Sequence, residues 1–93
     1  MFLNKENLIT CFEQAKKFNA KYIGVVIETR GSEAPEVIIN PRENFETKLE
    51  YYKNAYNDDM ILKSYDGIRI TKIDYGNTFE QLECSLLHSE CIV

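Results

Sequence analysis

Along the first twenty positions the apolar residues recur at helical spacing. Leu8, Cys11, Phe12, Ala15 and Phe18 follow one another at intervals of three, one, three and three, while Lys5, Glu13 and Lys17 fall outside that stripe. The pattern predicts an amphipathic helix over residues 4–19. The period then changes. In KYIGVVIET, β-branched residues dominate, with Ile23, Val25 and Ile27 pointing one way and Tyr22, Gly24 and Val26 the other. Both faces are apolar enough for a central strand. RGSEAPE, broken by Gly31 and Pro35, reads as a loop, and EVIIN as a second strand joined to the first in a hairpin.

A second helical pattern covers residues 41–57. Asn40 is placed for an N-cap, Pro41 for the first helical position where its missing N–H costs nothing, and Glu43 for the third position of a capping box. Phe45, Leu49, Tyr52 and Tyr56 form its stripe and are expected in the core. Full burial of such side chains contributes roughly 1.5–3 kcal/mol each. DMILKS and IRITKIDY then predict two strands joined at Ser64-Tyr65-Asp66-Gly67, with Asp-Gly supplying the positive φ of a tight turn. Asn77 and Glu80 make a candidate capping box for a short C-terminal helix carrying Phe79, Leu82, Leu86 and Leu87. The expectation is one α+β domain, residues 1–93, in which two antiparallel β-hairpins form a four-stranded sheet packed by two helices, plus the short C-terminal helix.

Charge narrows the partners. Eleven basic against fifteen acidic residues give a net charge of -4, and Lys16-Lys17 is the only adjacent basic pair. That balance disfavours direct binding to nucleic acid or to an anionic membrane. The N-terminus carries no basic segment followed by an apolar run, and no eighteen apolar residues occur together, so a soluble cytoplasmic protein is expected. Cys11, Cys84 and Cys91 lack C-x-x-C spacing, which fits a reducing compartment.

Candidate chemistry is sparse. Gly24, Gly31, Gly67 and Gly76 are too scattered for a phosphate loop. Asp58, Asp59, Asp66 and Asp74 are carboxylates of the kind that bind divalent cations, but each falls at a helix end, turn or strand end where aspartate serves the local backbone. Cys84, His88 and Cys91, at i, i+4 and i+7, would align on one face of a persisting helix, yet a structural zinc site wants four ligands. No catalytic, metal or cofactor residue is therefore expected, and the chain reads as a non-enzyme. Four of its six tyrosines lie in YYKNAYNDDMILKSYDG. Tyr52 and Tyr56 belong to the core stripe, whereas Tyr51 points away from it and Tyr65 sits on the hairpin tip. Tyr51 and Tyr65, with Arg30 of the charged loop and the acids Asp58, Asp59 and Asp66, make up the expected protein interface.

Residues 48–83, through EYYKNAYNDD, ILKS, GIRIT and YGNTFEQLE, resemble a segment recurring in small proteins carried by phages and prophages of Gram-positive bacteria. The likeness covers a little over a third of the chain. It implies a mobile-element accessory protein and carries no catalytic roles. Such proteins are similar in size and acidity to inhibitors of host defence, anti-CRISPR proteins among them. The expected function is a non-enzymatic accessory protein that binds another protein of the bacterial host or phage. A homodimeric structural or assembly module is the alternative, and a small metal- or ligand-binding protein a third option.

Overall fold

The computed structural model describes residues 3–87. Helix α1 (Lys5–Lys17) is followed by strands β1 (Tyr22–Thr29) and β2 (Glu36–Pro41), a 3-10 turn at Arg42–Asn44, helix α2 (Phe45–Ala55), strand β3 (Ile68–Gly76) and helix α3 (Phe79–Leu87). The strands form one antiparallel sheet in the order β2-β1-β3. This is an α+β fold, but among the described residues it has three strands where the sequence predicted four in two hairpins.

The missing strand is the segment DMILKS, and its loss has a local cause. Asn57 Oδ1 accepts from the N–H of both Asp59 and Ile61, and Met60 takes a positive φ of 60°. A non-glycine residue in the left-handed region interrupts extended backbone. Lys63 N–H donates back to Ala55 at the end of α2, so the segment is tied to the helix as much as to β3. In place of a strand, the isolated bridges Tyr56–Leu62 and Ile61–Arg69 form. In place of the single turn expected at residues 64–67 the chain turns twice, with Tyr65 N–H donating to Leu62 O and Ile68 N–H to Tyr65 O; Gly67 has no positive φ, and a Cβ there would lie 2.5 Å from Tyr65 Cζ. The half-exposed Tyr65 ring folds over the glycine, and a larger residue there would turn the ring outward.

Helix boundaries follow their caps. Asn4 Oδ1 accepts from Asn7 N–H at the start of α1. At its end, Asn19 adopts φ 55°, its N–H donates to Lys16 O, and Ala20 N–H donates to Ala15 O. That is a Schellman closure, completed by apolar contact between the buried Ala15 and Ala20. Phe18 therefore leaves the predicted stripe and stands 60% exposed. The capping box expected at Asn40-Pro41-Glu43 does not form, because Asn40 and Pro41 continue β2 and α2 opens only at Phe45. Before α3, Thr78 Oγ1 rather than Asn77 accepts from Gln81 N–H.

β1 is the central strand its two apolar faces predict. Ile23 and Val25 pack with α1 and α2 side chains in a core of Leu8, Phe12, Phe45, Tyr52, Tyr56, Met60 and Ile70. Val26 meets Leu82 and Leu86 of α3 on the opposite face. Gly24 lets α3 approach: a Cβ there would stand 2.7 Å from Leu86 Cδ1. In β3 a register shift opposite Val26/Ile27 places Ile27 against Ile70 and Val26 against Lys72, leaving Thr71 as the extra residue. Strict alternation would turn Ile73 and Tyr75 to the face opposite Ile68 and Ile70; the bulge keeps all four against the larger core.

Candidate protein-binding surface

The expected interface residues divide among separate places. Arg30 and Asp66 meet as an exposed ion pair at 3.3 Å, and Arg30 N–H donates to Gly67 O. The first loop and the turn before β3 are thus joined at the end of the sheet where β1 finishes, and Tyr65, 46% exposed, stands beside them. Exposed pairs of this kind contribute about 0–1 kcal/mol. Asp58 lies next to Lys5, whose ammonium is 4.0 Å from the carboxylate and donates to Lys53 O. Asp58 and Asp59 line an open cleft of about 740 Å³ with Glu6, Glu13, Ile9 and Thr10 of α1. Among the described residues no group of three or more His, Cys, Asp or Glu side chains is placed to hold a metal ion. The Cys84-His88-Cys91 spacing lies outside the described residues beyond Cys84.

Tyr51 is on the flank of α2. It is 49% exposed, while Tyr52 and Tyr56 are buried as the stripe predicts. The three rings touch, with centroids 5.6 Å apart for Tyr51–Tyr52 and 5.9 Å for Tyr52–Tyr56, and the Lys48 ammonium lies 5.4 Å from the centroids of both Tyr51 and Tyr52. Burial raises the Tyr52 phenol well above its ordinary value, with smaller contributions from the neighbouring Tyr56 and Tyr51; Tyr56 shifts the same way for the same leading reason. The Tyr52 hydroxyl is buried without a hydrogen-bond partner. Cys11, half-buried beside the core, is pushed up to about 11 by burial and by the Asp74 carboxylate, which keeps its thiol protonated at neutral pH.

The opposite end of the sheet holds a group that the linear sequence concealed. Phe18, just past α1, stacks on Tyr75 of β3 with centroids 6.5 Å apart and planes at 15°. Phe79, the first residue of α3, meets Tyr22 edge-on at 6.3 Å. Tyr22 is opposite Gly76 and Ile23 opposite Tyr75, so both pairs sit where β1 begins, one on each face of the sheet. Phe18 is 60% and Phe79 46% exposed. Lys17 lies over the Phe18 ring at 5.7 Å, and Arg42 is held nearby by the carbonyls of Ala20 and Asn19. These four rings come from segments spread over residues 18–79, and helical spacing places Phe18 and Phe79 in the apolar stripes of their helices, not together at one end of a sheet. No protein-family model matches the chain, and neither a curated protein nor a solved structure matches it.

Proposed function

We propose that this protein acts by binding another protein, with the aromatic end of the sheet as its principal contact surface. The observation that carries this reading is the convergence of Phe18, Tyr75, Tyr22 and Phe79 at one end, with the two phenylalanines substantially exposed. Exposing large rings to water is unfavourable, and two partly exposed ring pairs at the same end of the sheet, one on each face, offer a partner more apolar contact than a single exposed ring does. Rigid aromatic side chains offer large contact area at low entropic cost. The resemblance of residues 48–83 to phage and prophage accessory proteins supports a partner from the bacterial host or the phage itself, with inhibition of a host defence system as one form of such binding. The Arg30–Asp66–Tyr65 end and Tyr51 serve as secondary contacts.

The test is capture from a Gram-positive bacterial lysate, followed by a titration with the purified captured protein. Phe18→Ser/Phe79→Ser is expected to weaken binding about 30-fold or more, the loss of at least one hot-spot contact. Tyr51→Ala/Tyr65→Ala is expected to weaken it less. Equal affinity of the Phe18→Ser/Phe79→Ser variant, in a protein whose circular dichroism is unchanged, would overturn the assignment of this surface.

A further inference from the structure

The two outer edges of the sheet are finished differently. Arg42 N–H donates to Lys21 O, which sets the alternation of the β1–β2 ladder: Glu36, Ile38 and Asn40 direct their backbone groups at β1, while Val37, Ile39 and Pro41 direct theirs outward. On β3 three of the equivalent outward groups, those of Ile68, Ile70 and Tyr75, are already bonded. Leu62 N–H donates to Ile68 O and Ile70 N–H to Met60 O, while Tyr75 N–H is taken by Asp74 Oδ1, whose other oxygen accepts from Ser85. Those are the usual ways of closing an edge: a covering segment, a bulge and an inward-turned charge. Along β2 no described residue other than those of β1 pairs with the strand.

We infer that the β2 edge is a self-association surface, on which a second copy of this chain adds its own β2 in antiparallel register about a twofold axis at Ile38. In that register Val37 lies opposite Ile39 of the second copy and Ile39 opposite its Val37. Each pair exchanges both of its outward N–H···O bonds, so every outward donor of the edge finds an acceptor. Pro35, just before the strand, faces Pro41 across the axis, and neither residue has an N–H to leave unpaired. The prolines end the ladder on both sides and so fix its register. Glu36, the only charged residue of β2, then lies opposite Asn40. Parallel pairing in register would set Glu36 against itself, which is unfavourable. The side chains complete the fit: Ile38 meets its copy on the α1/α2 face, and Val37 meets Ile39 on the α3 face, all half-buried aliphatic residues before association. The result is a continuous six-stranded sheet. This inference is independent of the aromatic surface, which lies on other elements.

Amide exchange of the wild-type chain at rising concentration, read beside sedimentation velocity, tests it. Val37 and Ile39 amides are expected to exchange freely in dilute solution and to gain protection as the dimer forms, with no other strand amide changing as much. Val37→Pro removes one outward donor that has no partner within the protomer and is expected to weaken the dimer about tenfold or more. Pro35→Thr/Pro41→Thr adds donors at both ends of the ladder and is expected to tighten it about tenfold. A monomer at the highest attainable concentration, or exchange at Val37 and Ile39 that is independent of concentration, would overturn the inference whatever the variants do. So would a dimer unaffected by either variant.

Discussion

The two faces of the sheet are built on different scales. On the α1/α2 side, eleven buried residues from both helices, two strands and the segment after α2 form one cluster, with Phe12 set edge-on to Phe45 at 6.0 Å and tilted against Tyr52 at 6.2 Å. On the α3 side the buried part among the described residues is Val26, Leu82 and Leu86, supported by the half-buried Tyr22, Val37 and Ile39. Burial scales with apolar area removed from water, so the first face carries most of the folding free energy and the second attaches a helix to a sheet already held together. The same difference explains Gly24. A helix with two buried leucines gains enough only if it lies close, and a bare glycine on the central strand permits that approach.

The largest effect should come from breaking the larger face. Phe12→Ala empties a site in contact with two other rings, and a loss of about 3–5 kcal/mol in urea unfolding is expected. The whole chain should lose stability together. Gly24→Val breaks the smaller face instead. Its side chain would have to displace Leu86 and Ile39, and a cost of about 1–3 kcal/mol is expected, concentrated in α3. Hydrogen exchange should show amides of residues 79–87 losing protection while α1 and α2 keep theirs. Uniform loss across all three helices would mean that the two faces fold as one unit.

The smallest effect sharpens the picture of the larger core. Because the Tyr52 hydroxyl is buried without a partner, Tyr52→Phe removes an unsatisfied polar group and should stabilise the protein at pH 7 by about 1 kcal/mol. It also alters the alkaline limb. A phenol whose folded pKa is raised above its ordinary 10.0 contributes stability that is fully present below that value and is lost as pH rises through it toward the folded value. Cys11 adds a loss of the same sign between 9.0 and about 11. The wild-type chain should therefore weaken steadily above pH 9, and Tyr52→Phe should flatten the part above pH 10. An unchanged slope would show that Tyr52 does not titrate with unfolding.

Periodicity and capping signals located three helices and a central β1, and periodicity separated buried Tyr52 and Tyr56 from exposed Tyr51; the exposure of Tyr65 followed from its place in a turn. These features depend on residues within a turn or two of one another, and sequence spacing reports such relations directly. Tertiary structure decided the rest. DMILKS has the composition of a strand, but Asn57 and the end of α2 take its donors, and the sheet stops at three strands. Alternation in IRITKIDY points its second half the wrong way until a bulge, whose position depends on β1, corrects it. Phe18 belongs to the α1 stripe by spacing and leaves it because the helix closes one residue earlier on Ala15 and Ala20. The aromatic end unites residues as far apart as 18 and 79, and the open edge of β2 is visible only once strand order and ladder phase are known. Local spacing determines which residues share a face of one element. Which element lies beside another, and which backbone groups are left facing outward, is determined by packing among segments distant in the chain.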